Sequence, residues 1–246
     1  IMMGAYWAYE TLNFGGYWNW DPVENASFVP WLVLLGAIHT MIAHKTSSSA
    51  LKTSIILVIA TFILVLYSTF LNRSGILGNA SVHSFTDLGL SGQLLLYMGT
   101  FLLVAIGMSI YRWKDLPKDQ KELGTYNREF WVFVGAAVLG LSAFQLTFTT
   151  SIPVYNKIAE AFGVLSNIAL PADQAEHYSK IQIWIFLAVA ILSGIGQYVW
   201  WGKIKQSTTF KPLLSPALAA TLLSVVFINI GKIYTLSYIA LLWSSL

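Results

Sequence analysis

Six long apolar stretches with almost no charge constrain this chain more than any other feature of its sequence. A helix of about 20 apolar residues spans the hydrocarbon core of a bilayer, and the stretches run continuously, without the alternation that a membrane β-barrel requires. We therefore predict an all-α, polytopic integral membrane helical bundle, formed as a single membrane domain over residues 1–246. It has six complete spans and two partial ones, at the start and end of the chain. The stretches cover residues 26–43, 53–71, 90–111, 130–148, 181–202 and 213–231.

The composition agrees with a chain that is mostly solvated by lipid. Charged residues make up 10% of its 246 residues, whereas an ordinary globular domain carries roughly 25%. The chain contains no cysteine, which excludes a disulfide framework, a thiolate nucleophile and a cysteine-ligated metal site. Ile1 and Leu246 both lie in apolar stretches, and we expect the chain to be a piece of a larger protein.

The basic residues predict how the spans are oriented. Ten of the 14 Lys and Arg residues lie in the alternate loops 45–52, 112–129 and 203–211, and three lie in the opposite segments. Loops rich in Lys and Arg stay on the cytoplasmic side of a membrane. We therefore expect residues 10–25, 72–89 and 149–180 to face outward. The basic residues form no patch interleaved with aromatic residues, so we expect no nucleic-acid partner.

A segment rich in glycine and tryptophan, residues 13–25, precedes the first complete span. Gly15 and Gly16 allow a backbone to approach a flat ligand closely, and Tyr17, Trp18 and Trp20 offer broad rings for stacking. The residues alone fit a platform for a flat ligand and an interfacial aromatic belt equally well.

The start of the following helix is encoded by three residues. Asp21 is a favourable N-cap, Pro22 suits the first helical position, and Glu24 stands three residues after the cap. This pattern predicts that a long helix begins at Pro22 and carries the tryptophan segment at its end.

Two histidines are candidate ligands, and each also has an ordinary explanation. His39 lies inside a predicted span, where an ionisable residue is a functional hypothesis by default, although a neutral histidine that hydrogen-bonds between helices is as compatible with its position. His83 lies in an outer loop, where simple exposure is the common role of a histidine. His44 is expected to lie at the cytoplasmic interface and to bind nothing, and His177 is expected to be exposed.

Three sequence motifs resemble the tryptophan-rich "WWD" family of haem-handling proteins, whose branches are CcmF, CcmC and CcsA. The run from Gly15 to Phe28, with Asp-Pro-Val-Glu-Asn from Asp21 onward, resembles the CcmF branch, whereas the CcsA form is closer to Asp-Pro-Lys-Glu-Thr. An Arg-Ser-Gly from Arg73 followed by Ser-Val-His ending at His83 resembles the outer face of CcmF. A histidine also stands in that family at the distance that separates His39 from Pro30.

The resemblance implies a set of haem contacts. His83 is implied as an axial ligand of haem b at the outer face, and His39 as an axial ligand of a second, membrane-embedded haem. Arg73 is either a partner for a haem propionate or an interfacial anchor, because a guanidinium recognises a carboxylate in a bidentate manner. The outer platform that the resemblance implies comprises Phe14, Gly15, Gly16, Tyr17, Trp18, Trp20 and Asp21.

The activity implied by the resemblance is the haem lyase step of cytochrome c maturation, at the outer side of the cytoplasmic membrane. The implied partners are apocytochrome c, a haem chaperone and other maturation subunits, in addition to the bilayer. No side chain resembles a catalytic nucleophile. Two alternatives stay open: a CcsA-type haem exporter and synthetase, and a haem-transporting or non-catalytic scaffold subunit.

Overall fold

The computed structural model describes residues 1–11, 16–44, 49–78, 80, 81, 83–85, 89–116, 128–198 and 213–246. Within these ranges the chain forms α-helices and no strand. A short 3₁₀ turn, Trp113–Asp115, continues the fourth helix. The helices are α1 (Met2–Thr11), α2 (Pro22–Ala43), α3 (Ser49–Arg73), α4 (Ser91–Arg112), α5 (Arg128–Thr150), α6 (Ile152–Ala161), α7 (Gln174–Tyr198), α8 (Leu214–Gly231) and α9 (Leu236–Ser245).

Six of these helices are long and apolar enough to cross a membrane, which confirms the predicted polytopic bundle. They are α2, α3, α4, α5, α7 and α8, with mean hydropathies from 1.7 to 2.5. The short helices α1 and α9 have 10 residues each and correspond to the two partial spans. Helix α7 begins seven residues before its predicted stretch because backbone hydrogen bonding continues through the polar first turns from Gln174.

The predicted start of α2 is confirmed in detail. The Asp21 side chain accepts a hydrogen bond from the backbone N–H of Val23 at 2.9 Å, and Glu24 Oε2 accepts from the backbone N–H of Asp21 at 3.2 Å. This reciprocal pair is a capping box, in which each side chain satisfies a donor that the helix itself cannot pair. The helix continues through the buried Pro30 to Ala43.

Helix α2 is the centre of the bundle, since α3 and α5 pack along it on two sides and α7 packs on α5. Gly36 allows the close approach: a Cβ there would lie 3.6 Å from Leu57 of α3 and 3.7 Å from Ala136 of α5. A hydrogen bond of 3.0 Å joins Thr40 of α2 to Ser54 of α3. Small residues and interhelical hydrogen bonds of this kind hold helices together in lipid, where burial alone provides little attraction.

The bundle has two chemically different ends. At one end, which we call the tryptophan end, the described residues of the ranges 16–22, 67–85 and 151–178 meet, for example through a 2.6 Å hydrogen bond from Tyr67 to Ser151. At the other, the basic end, Lys52 lies over the ring of Trp113 at 5.9 Å. The described parts of the three segments that were predicted to share one side therefore share one end. Much of the three basic loops lies outside the described residues.

Candidate functional site

The tryptophans of the glycine-rich segment form one aromatic cluster at the tryptophan end. The rings of Trp18 and Trp20 meet edge to face at 6.0 Å, and Phe28 lies 5.3 Å from Trp18. Trp20 also stacks on Tyr178 of α7 at 5.6 Å, with 26° between the ring planes. Since Phe28 and Tyr178 belong to two spans, the cluster is held by helices and not only by its own loop.

Trp20 has an unusual backbone conformation that directs its ring. Its φ angle is +58°, a left-handed conformation that costs about 1–2 kcal/mol for a residue with a Cβ. Asn25, which is fully buried, donates a hydrogen bond from Nδ2 to the Trp20 carbonyl at 2.9 Å. This bond and the stacking on Tyr178 offset the strain. The site therefore maintains a backbone conformation that an interfacial aromatic belt would not require.

Asp21 connects this cluster to His83. Ser81 donates a hydrogen bond from its hydroxyl to Asp21 Oδ1 at 2.6 Å and accepts one from the backbone N–H of His83 at 3.0 Å. His83 Nδ1 lies 3.5 Å from the same carboxylate oxygen. The side chains of His83 and Asp21 are 25% and 12% exposed, so both groups are largely shielded from water. The helix cap of α2 thus also orients the loop that carries the histidine.

Arg73 lies beside this loop, at the end of α3. Its guanidinium lies over the ring of Phe85 at 4.1 Å, and the backbone N–H of Phe85 donates to the carbonyl of Asn72 at 3.1 Å. A cation over an aromatic face is held in a defined place, while Arg73 as a whole stays exposed. Arg73 is therefore positioned at the tryptophan end, a position that suits both of its predicted roles.

The structure does not bring every residue of the predicted platform together. Tyr17 is exposed and stacks on Tyr9 of α1 at 4.2 Å, away from the Trp18 and Trp20 pair. Gly16 is exposed, and a Cβ there would meet nothing within 4 Å. Phe14 and Gly15 lie outside the described residues. Among the described residues of the platform, Trp18, Trp20 and Asp21 form the compact part.

His39 lies at a separate site, near the basic end of α2. It is exposed on the bundle surface and lines a cleft of about 360 Å³ between α2, α5 and α7. Its Nδ1 lies 2.7 Å from the carbonyl oxygen of Leu35. Because a carbonyl only accepts, Nδ1 must carry the proton, which leaves the lone pair of the neutral ring on Nε2.

The walls of the His39 cleft are mostly apolar and include three small residues. Gly135 on α5, and Ser193 and Gly196 on α7, line it, and a Cβ at either glycine would meet nothing within 4 Å. Arg128, the first residue of α5, brings a cation to the same cleft. His44 caps the C-terminus of α2 and is absent from the cleft lining.

Comparisons with known proteins identify the family. A family model described as "Cytochrome C assembly protein" matches residues 1–78. The "Cytochrome c-type biogenesis protein CcmF" of Haemophilus influenzae is 32% identical over 217 residues, covering 87% of this chain and 32% of that protein. The protein with the same description in Pseudomonas aeruginosa is 31% identical over 237 residues, covering 95% of this chain and 34% of that protein.

A solved structure agrees with these relatives. The "Cytochrome c Heme Lyase CcmF" superposes with a TM-score of 0.64 and 26% identity, over 98% of this chain and 34% of that one. The chain belongs to the CcmF family. It spans about a third of the length of these CcmF relatives, and it is a multi-pass membrane protein like them.

Both candidate sites of this CcmF-type chain fit a haem. Among the described residues, no group of three or more His, Cys, Asp or Glu side chains converges on one point. A haem iron takes four ligands from its own ring and needs only axial ligands from protein, so a single imidazole beside apolar side chains suits it. At the tryptophan end the buried oxygens Asn72 Oδ1 and Ser84 Oγ have no hydrogen-bond partner within the described structure, as expected where a polar ligand or water binds. At His39 the open space beside two glycines supplies room.

Sequence reasoning missed three residues of the CcmF-type site. Ser81 was recognised only as part of a motif, although its position two residues before His83 allows it to cap that loop. Phe28 and Tyr178 were not singled out, and no local pattern identifies a ring that stacks from a distant helix.

The expectation that His177 is exposed is wrong: it is half-buried, with its ring edge-on to Tyr178 at 5.2 Å.

Proposed function

We propose that this chain is the haem-presenting part of a CcmF-type cytochrome c haem lyase. It holds haem b at the tryptophan end and presents the vinyl groups for thioether attachment to apocytochrome c. The observation that carries the proposal is the placement of His83. Its imidazole lies against Asp21, and Asp21 is the residue that follows Trp20 in the chain. A loop histidine with no function would not require a shielded carboxylate and a strained tryptophan beside it.

The proposal gives each site residue a role that its position supports. Asp21 Oδ1 faces the Nδ1 side of the His83 ring from 3.5 Å, which leaves Nε2 as the nitrogen that would bind iron, as is usual for metal-ligating histidines with a carboxylate behind them. Trp18 and Trp20 provide apolar surface that limits how the porphyrin plane rotates. Arg73 pairs with a propionate. The protein contributes binding and orientation, while the bond-forming chemistry belongs to the haem and to the incoming cysteines.

His39 serves a different purpose in this proposal. Its Nε2 would bind the iron of a second, membrane-embedded haem b, and that haem would supply electrons to the outer one. The small residues Gly135 and Gly196 admit the porphyrin edge, and Arg128 balances the charge of a propionate. The hydrogen bond to Leu35 holds the imidazole in the required tautomer.

The orientation of the bundle completes the proposal. The tryptophan end faces the outer side of the cytoplasmic membrane and the basic end faces the cytoplasm, and the ten-to-three distribution of Lys and Arg supports this orientation. Apocytochrome c, a haem chaperone and other maturation subunits then meet the chain at the tryptophan end. Single cysteines at Ser48 and Ser81 should react with an impermeant thiol reagent from opposite sides of the membrane, and reaction of both from one side would contradict the orientation.

The decisive experiment replaces His83 by alanine in the complete protein. Covalent haem on cytochrome c, read on a denaturing gel, should fall to background while the protein still inserts, because His83 lies in a loop and supports no span. His44→Ala is the matched control and should leave the yield unchanged. Shortening Trp18 and Trp20 together should instead weaken haem retention while the iron–imidazole bond persists. Normal yield from His83→Ala would reject the haem lyase proposal and favour a haem-transporting or scaffold subunit.

A further inference from the structure

Helix α6 is amphipathic and lies at the tryptophan end, immediately after the span α5. One residue, Ser151, separates the two helices. Tyr155, Ile158 and Phe162 follow each other at intervals of three and four residues, so they share one face of α6 and of the turn after it. Asn156 and Glu160 share the opposite face, with Lys157 beside them.

The apolar face of α6 is exposed, although nothing in its polar face requires this. Ile158 is 51% exposed and Phe162 81% exposed, and Tyr155 is exposed as well. The polar residues Asn156, Lys157 and Glu160 border an open cleft of about 640 Å³ that Ile76 and Ala80 also line, and the side chains of Lys157 and Glu160 are themselves 67% and 71% exposed. A surface helix in water turns its apolar stripe toward the protein and its polar stripe toward solvent. The outward face of α6 therefore requires an apolar environment.

The neighbouring span shows what that environment is. Phe144 and Phe148 are exposed on α5, within a span, and their rings stack at 6.1 Å. Tyr155 continues this line, since its ring lies 5.7 Å from that of Phe148. The apolar face of α6 is thus a direct extension of a surface that contacts hydrocarbon. Aromatic residues are enriched at this boundary between lipid and water.

We propose that α6 lies in the interface of the bilayer, with Tyr155, Ile158 and Phe162 in lipid and its polar face over the cleft. Helices of this type lie with their apolar face about 5–10 Å into the boundary between headgroups and acyl chains. The occupant of this face is the bilayer itself, and the inference is independent of the proposed function.

Helix α6 also has contacts that connect its depth in the bilayer to the position of the loop that carries His83. Val154 packs against the buried cluster that includes Phe70, Leu71 and Leu77, which supports the chain between Arg73 and His83. Ser151 accepts the hydrogen bond from Tyr67 of α3. A lipid-anchored α6 therefore fixes how far the loop that carries His83 stands above the membrane surface.

Since this chain contains no cysteine, single thiol labels on α6 can test the inference in a background whose other cysteines have been replaced. Single substitutions Ile158→Cys and Phe162→Cys on the apolar face, and Asn156→Cys and Lys157→Cys on the polar face, are labelled with an environment-sensitive fluorophore. The complete protein is placed in phosphatidylcholine and phosphatidylglycerol nanodiscs. Labels at positions 158 and 162 should be blue-shifted and quenched several-fold more by lipids that carry a spin label near the headgroup than labels at 156 and 157. Iodide in the water should give the opposite order.

Two outcomes would overturn the inference. Equal quenching by iodide at positions 158 and 157 would mean that the apolar face contacts water. Protection of position 158 from both quenchers would mean that protein covers the face. A second pair of variants gives a separate readout: Ile158→Glu should reduce the lipid quenching of a label at position 162, whereas Lys157→Glu should not. Equal responses from these two variants would also reject the proposal.

Discussion

The two histidine sites, one at each end of α2, differ in the group that each imidazole faces. Asp21, at the start of the helix, and His39, near its end, are separated by about 27 Å at 1.5 Å per residue. His83 is oriented by a carboxylate from another part of the chain, whereas His39 is oriented by a carbonyl of its own helix, four residues away. The first site depends on how a loop docks onto a helix cap. The orientation of His39 requires only that α2 is helical, so we expect it to tolerate changes at the tryptophan end.

The largest expected effect separates His39 from its neighbour His44. In the complete protein, His39→Ala should abolish the reduced b-type absorption of the embedded haem, because no other side chain of α2 offers an imidazole to the cleft. His44→Ala should leave that absorption unchanged, since His44 caps the helix and does not line the cleft. Reduced-minus-oxidised spectra of the purified variants decide between them, and equal losses would show that the ligand is misassigned.

The next effect tests the cleft and not its ligand. Gly135→Leu places a side chain in the open space beside His39, and it should displace most of the embedded haem. The yield of cytochrome c at the His83 site should then be limited only by the supply of electrons. Gly140→Leu on the same helix is the control: its Cβ also meets nothing within 4 Å, but it does not line the cleft. Haem content by pyridine haemochrome is the measurement. Similar haem content in the two variants would contradict the assignment of the cleft.

Asp21→Asn tests the carboxylate at the other site. Asparagine is as good an N-cap as aspartate, so the thermal stability should stay close to that of the parent protein. Losing the carboxylate that orients a metal-bound histidine typically weakens metal binding about 10–100-fold, and we expect a loss of this size in haem affinity at the tryptophan end, measured by titration. Asp21→Ala should lose the cap as well, which costs about 1 kcal/mol. If Asp21→Asn leaves the haem affinity unchanged, His83 is oriented by something else.

Ser81→Ala should give the smallest effect. It removes the 2.6 Å hydrogen bond to Asp21 but leaves both Asp21 and His83 in place. A hydrogen bond to a charged group contributes about 1.5 kcal/mol, so haem affinity at the tryptophan end should fall roughly tenfold while the embedded haem is unaffected. A Ser81→Thr variant retains the hydroxyl and should restore most of the binding. An effect of Ser81→Ala on the embedded haem would break the independence of the two sites.

The sequence was informative wherever a feature is local. The six spans were predicted because each is one continuous apolar stretch, and the start of α2 was predicted because its cap involves residues within four positions of one another. The loop from Arg73 to His83 was identified by its motif alone. Its docking onto Asp21 was not, because that contact joins positions 60 residues apart in the chain, and no local pattern encodes such a pairing.

The sequence alone determined that lipid surrounds most of this chain and which segments form the spanning helices. Backbone groups in lipid must be paired within a helix, so the length of each apolar stretch is enough to predict a spanning helix. Only the tertiary structure decided which side chains meet. It separated Tyr17 from the tryptophan pair, brought Tyr178 under Trp20, and set α6 with its apolar face outward. These outcomes depend on how helices pack against each other. In lipid, where apolar residues are equally well solvated on any face, packing is decided by shape and by a few polar contacts.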